Sequence, residues 1–157
     1  MPTNKRPRKP YRQSGAGHIV LPEQHRDMLL PLLGALTAFQ HGHGTDGHRH
    51  TLAYGINIAG SVAVNVHGGD KILPFIEKAK DSLISMDCRF VRVGKWGMSA
   101  AELSAIRKAV LMCSQLLRRS NTSTVAQAIA HIYAINANRE QGLGSVECPI
   151  EMPNEHS

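Results

Sequence analysis

An all-α fold, a compact bundle of about five helices, is what this chain predicts, and three observations carry the prediction. Apolar residues recur every three to four positions in successive stretches, helix-starting residues stand in front of those stretches, and glycine-rich or polar breaks divide them. The composition agrees with a single aliphatic core. Of 157 residues 42% are hydrophobic but only 4% are aromatic, so Leu, Ile, Val, Ala, Met and Gly must do the packing.

The elements follow in order. Pro22, with Glu23 and Asp27 behind it, suits a first helical turn, where a missing N–H costs nothing and acids favour the dipole. Leu29, Leu32, Leu33, Leu36 and Phe39 then keep helical spacing to about Gln40, with Pro31 as a candidate kink. Three glycines between His41 and Gly47 read as a loop. Thr45 or Asp46 caps the next helix, whose apolar face is Leu52, Ile56, Ala59, Ala63 and Val66. Its Gly55, Ala59, Gly60 and Ala63 carry so little bulk that a neighbouring helix can approach closely. His67 to Gly69 ends it, and Asp70 is expected to cap a third helix with Ile72, Ile76, Ala79, Leu83 and Met86 on one side.

Arg89 to Gly97 reads as an irregular or extended link carrying Trp96. Ser99 and Glu102 then form a capping box, with Met98 and Leu103 placed as its hydrophobic staple. Behind it Leu103, Ile106, Val110, Cys113 and Leu117 trace a narrow apolar seam. Thr124 with Gln127 suggests a second capping box, starting a helix with Val125, Ile129, Ile132 and Tyr133 that fades by Arg139. The predicted organisation is a flexible basic arm and linker over 1–17, a helical domain over 18–140 and a loosely ordered acidic tail over 141–157.

Charge is distributed unevenly. Lys5, Arg6, Arg8, Lys9 and Arg12 supply five of the net six positive charges, and Pro2, Pro7 and Pro10 keep that arm extended. A second basic region, residues 89–119, sets Arg89, Arg92, Lys95, Arg107, Lys108, Arg118 and Arg119 against Glu102 alone. Such asymmetry points to a polyanion or an acidic protein face as partner. No apolar run reaches the ~18 residues that span a bilayer, and no apolar segment follows the basic N-terminus as in a secretory signal. Membrane contact is therefore not expected. Cys88, Cys113 and Cys148 are odd in number and widely spaced, which predicts a reducing cytosol without a disulfide framework or thiolate zinc site.

Catalytic patterns are scarce. His41, His43, His48 and His50 crowd together with Asp46, yet their spacing matches no tetrahedral motif. On a helix, His48 and His50 would point about 200° apart. A solvated loop is the expectation, with these four as the candidate ligands should a metal bind, and no cofactor is expected. His43-Gly44-Thr45 matches half of a two-histidine phosphoesterase motif whose second half is missing. Cys113 lies on the apolar seam, a packing position for a thiol. No paired carboxylates in an apolar context, phosphate loop or nucleophile elbow stands out, so no enzyme is expected. Ser114 to Ile129 has the outline of a helix-turn-helix. Its second helix offers no Arg, Lys or Asn before Asn136 to reach base edges, so a plain helical hairpin is the reading.

Three stretches bear on kinship: Lys5-Arg6-Pro7-Arg8-Lys9-Pro10-Tyr11, the His43-Gly44-Thr45 loop leading to Thr51-Leu52-Ala53, and Gly94-Lys95-Trp96-Gly97-Met98 before a capped helix. Through these the chain resembles small uncharacterised proteins encoded by phages and prophages of Gram-negative bacteria. The resemblance implies a mobile-element accessory protein and carries over no site residues. Two functions fit. One is nucleic-acid binding through the arm (Lys5, Arg6, Arg8, Lys9, Arg12) and a basic helix face (Arg107, Lys108, Arg118, Arg119). The other is a protein-binding inhibitor or adaptor, such as a phage-encoded blocker of a bacterial defence of the anti-CRISPR type. A homodimer is compatible with the small-residue helix and the narrow seam.

Overall fold

A computed structural model describes residues 22–141, with side chains described for 28–138. Five helices follow one another: α1 (Pro22–Gln40), α2 (Asp46–Ala63), α3 (Leu73–Val93), α4 (Ala100–Arg119) and α5 (Thr122–Gln141), with a short 3-10 turn at Gly69–Lys71 before α3. There is no strand among the described residues, and none of the helices is long and apolar enough to cross a membrane. The arm and almost all of the acidic tail lie outside the described residues.

Helix α2 is the centre. It packs against α1, α3, α4 and α5, and it buries Leu52, Ile56, Ile58, Ala59, Val62 and Ala63 on more than one side, as a surrounded helix must. Its small residues do what their size predicts. A Cβ on Gly55 would stand 2.4 Å from Leu32 of α1, and the bare face of Gly60 receives Ile76 and Lys80 of α3. Fully buried Ile76, Met86, Ile106 and Val110 complete one continuous core from α3 and α4. Each such side chain contributes about 1.5–3 kcal/mol on leaving water.

Local signals set most helix starts. Thr45 is the N-cap of α2; its Oγ1 accepts from the His48 N–H at 3.4 Å, while the Thr45 N–H donates to His48 Nδ1 at 3.2 Å. The histidine thereby fills the place usually held by Glu. Helix α1 runs unbroken through Pro31, which sits exposed on its surface.

Four expectations are corrected. Asp70 does not cap α3. The chain makes a 3-10 turn there, and α3 starts at Leu73 with no side-chain cap, Pro74 sitting in its opening turn. Arg89 to Val93 is the last part of α3 rather than a link. The helix stops only at Gly94, whose φ of 73° is the left-handed conformation that glycine adopts freely. Asn121, not Thr124, holds the start of α5: its Oδ1 accepts from both the N–H and the hydroxyl of Thr124, each at 2.8 Å. Finally, Cys88 is disulfide-bonded, whereas Cys113 is free and buried. Cys88 therefore departs from the thiols expected of a reducing cytosol, though one bonded cysteine is not a disulfide framework.

Candidate nucleic-acid interface

Helix α4 divides into two faces. Inward go Ile106, Ala109, Val110, Cys113, Leu116 and Leu117, so the seam read from spacing alone is widened by Ala109 and Leu116, and Leu103 is only half-buried. Burial pushes the Cys113 thiol up to about 12, opposed only weakly by its own backbone hydrogen bond, so it packs as a neutral group. Outward go Arg107, Lys108, Leu111, Gln115, Arg118 and Arg119, all exposed. Arg107 and Arg118 are eleven residues apart, three turns, so they share one side of the helix about 16 Å from each other. Lys108 and Arg119 repeat that relation one position on.

The strip is not neutralised. Among the described residues no carboxylate is bonded to any of its four cations. Arg107 Nη2 donates to the neutral Gln40 Oε1 at 2.8 Å, which ties the strip to the end of α1. Lys108 Nζ lies 4.7 Å above the Phe75 ring of α3, an attraction that leaves its charge in place. Meanwhile three acids are occupied elsewhere. Glu102, the one acid of α4, is buried in a fork with Arg89. Asp87 is bonded to Arg49 and Glu77 to Lys80. These pairs lie away from the strip, and no carboxylate among the described residues is bonded to the α4 cations. Arg118 and Arg119 also sit in the last turn, where cations complement the helix dipole.

The sequence-derived candidates therefore separate into three groups. Arg107, Lys108, Arg118 and Arg119 come together on one helix face. Lys5, Arg6, Arg8, Lys9 and Arg12 lie outside the described residues. The four histidines share no centre: His41 and His43 are exposed, His48 caps α2, and His50 Nε2 lies 3.2 Å from Asp46 Oδ2. No group of three or more His, Cys, Asp or Glu among the described residues is arranged to hold a metal. One contributor escaped notice in the sequence. Lys78, a turn beyond Phe75, is exposed on the side of α3 that meets Lys108. Nothing local signals that, because the contact joins residues 33 apart in the chain.

Between α4 and α5 stand only Ser120 and Asn121, and Ser120 Oγ is turned back onto the Leu116 carbonyl at 2.8 Å. The exposed positions at the start of α5 are Ser123, Ala126 and Gln127, which offer no cation to a groove floor. The charge is on α4.

No protein-family model, curated protein or solved structure matches this chain. Its class is defined by the fold and surface themselves: a five-helix all-α domain with a cationic helix face.

Proposed function

We propose that the protein is a non-enzymatic accessory protein of a phage or related mobile element that binds nucleic acid through its phosphates. The observation that carries this reading is the α4 strip, where Arg107, Lys108, Arg118 and Arg119 face solvent with no bonded carboxylate. Cations at such spacing bind a phosphate backbone without requiring any base contact, and the arm cations Lys5, Arg6, Arg8, Lys9 and Arg12 extend the contact. Binding of this kind is governed by counterion release, so its signature is salt dependence. Four strip cations give a log–log slope of about −3 to −4 on duplex DNA, and all nine about −8. Fluorescence anisotropy on random duplex and single-stranded oligonucleotides across a salt series tests it. No binding at low salt would end the proposal.

One observation favours a second reading, a protein-binding inhibitor or adaptor. Leu111 is 52% exposed in the middle of the strip, one turn from Arg107 and two from Arg118. An apolar side chain ringed by cations fits an acidic protein face better than a phosphate backbone. Leu111→Ala separates the two readings: it leaves oligonucleotide affinity unchanged but weakens capture of a protein partner.

A further inference from the structure

A groove of about 550 Å³ opens between α3 and α5, with α2 as its floor and no residue of α1 or α4 in its lining. Along the floor Arg49, Ala53, Asn57, Ser61 and Val64 follow at helical steps, a stripe about 22 Å long. The α3 wall runs antiparallel to that stripe. Asp87 is bonded to Arg49 at one end, and Lys80 Nζ lies beside Gly60 towards the other, 3.7 Å from where a Cβ would stand. Apolar side chains form both walls: Ile84 of α3 is 46% exposed and Ile135 of α5 37%.

The groove also holds polar groups that this chain leaves unused. The side chains of Asn57 and Asn136 take part in no hydrogen bond among the described residues, although Asn57 is half-buried. A carboxamide offers a donor and an acceptor side by side, which suits a partner whose own amide groups are unpaired. A helix keeps its backbone groups to itself, whereas an extended chain presents an N–H and a C=O at every residue. Extended residues advance ~3.3 Å each with side chains alternating between two sides, so about six or seven would cover the floor.

Charge narrows the choice. The one carboxylate in the lining, Asp87, is bonded to Arg49. Lys80 is held only by Glu77 of its own helix, an exposed pair at 2.9 Å of the kind that contributes little. Its ammonium is thus open to an acid from outside. We propose that the groove binds an extended peptide segment of another protein, in which apolar residues alternate with polar ones and an acidic side chain meets Lys80. Asn57 and Asn136 take the peptide backbone, and Ile84 and Ile135 take its apolar side chains.

The test presents the full chain to an array of immobilised heptapeptides in which apolar residues alternate with acidic, neutral or basic ones. Capture should concentrate on the apolar–acidic peptides. Asn57→Ala should weaken it about tenfold, the loss of one or two hydrogen bonds. Lys80→Gln should erase the preference for acidic over neutral peptides while binding persists. With the best peptide free in solution, methyl NMR should shift Ile84, Ile132 and Ile135 and leave buried Ile106 in place. That readout needs no variant, so it stands even where a substitution unfolds the chain. No capture, or a preference for basic peptides, would overturn the proposal. So would acidic peptides that move Leu111 instead of the groove isoleucines, since the α4 strip would then be holding them.

Discussion

Arg89 of α3 grips Glu102 of α4 as a parallel fork, Nη1 donating to Oε2 at 2.9 Å and Nη2 to Oε1 at 2.6 Å. The same carboxylate accepts the Ser99 N–H at 2.7 Å, and Arg89 Nη1 also donates to the Gly97 carbonyl at 3.0 Å. One ion pair thus holds the end of α3, the link and the first turn of α4 together. Phe90 stacks on Trp96 beside it, the rings 4.1 Å apart and 10° from parallel.

This pair makes stability pH-dependent. Burial alone would raise the Glu102 pKa, but hydrogen bonds from Arg89, Ser99 and Ser85 and the Arg89 charge outweigh it and bring it from 4.5 to about 2. A folded-state value below the unfolded one means that the unfolded chain takes up the proton first as pH falls. The stabilisation is complete above about pH 4.5 and drains away towards pH 2, amounting to about 3 kcal/mol. Glu102→Gln should cost that much in urea unfolding at pH 7, and the gap to the parent should close at pH 2.

Gly69 and Gly34 should respond to alanine with opposite signs. A Cβ on Gly69 would fall 1.9 Å from the Ala63 carbonyl oxygen, a backbone atom that cannot step aside. Gly69→Ala should cost about 2–4 kcal/mol, in line with overpacking or backbone strain. Gly34 sits inside α1 with nothing within 4 Å of such a Cβ, so Gly34→Ala should add about 0.5–1 kcal/mol. Thermal unfolding of the two variants checks both.

Replacing Arg118 and Arg119 together by Ser should lower the salt slope of oligonucleotide binding by about 2, one phosphate for each lost cation. Both residues are exposed, so the unfolding midpoint should scarcely move. A lost slope with an intact fold locates the contact on α4.

Tyr54 should ionise late. Burial, then its hydrogen bond to Tyr133, then the charge that Tyr133 can develop, raise its pKa from 10.0 to about 12. Because the folded chain keeps this proton longer than the unfolded one, stability should decline as pH rises through 10 towards 12. Tyr133→Phe should bring the ultraviolet titration of Tyr54 to lower pH while its edge-to-face ring contact, 5.5 Å between centroids, persists.

Where sequence and structure agree, the signal was local. Thr45 and Ser99 with Glu102 each satisfy backbone N–H groups within one turn, so their helix starts could be read directly. Where they differ, the deciding partner was distant or of another type. Arg89 to Val93 looks irregular because Val91 and Val93 are exposed and break the apolar period; the turn persists with Arg89 held by Glu102 and Phe90 by Trp96. Thr124 with Gln127 has the spacing of a capping box, but the Thr124 N–H is satisfied from Asn121, three residues earlier. Half of the site was legible, since a basic α4 face follows from helical spacing. Its freedom from counter-charge was not, because Asp87 and Glu102 find their arginines across helix boundaries.

By itself the sequence determined the all-α class, the five helices, the small-residue face of α2 and the side of α4 on which its cations stand, because periodicity and capping act within a few residues. Only the tertiary structure decided which carboxylates those cations would lack, and that a groove would open over α2 between α3 and α5. Both depend on how helices remote in the chain pack around Ile56 and Ile76, and close packing settles that only when the whole core assembles.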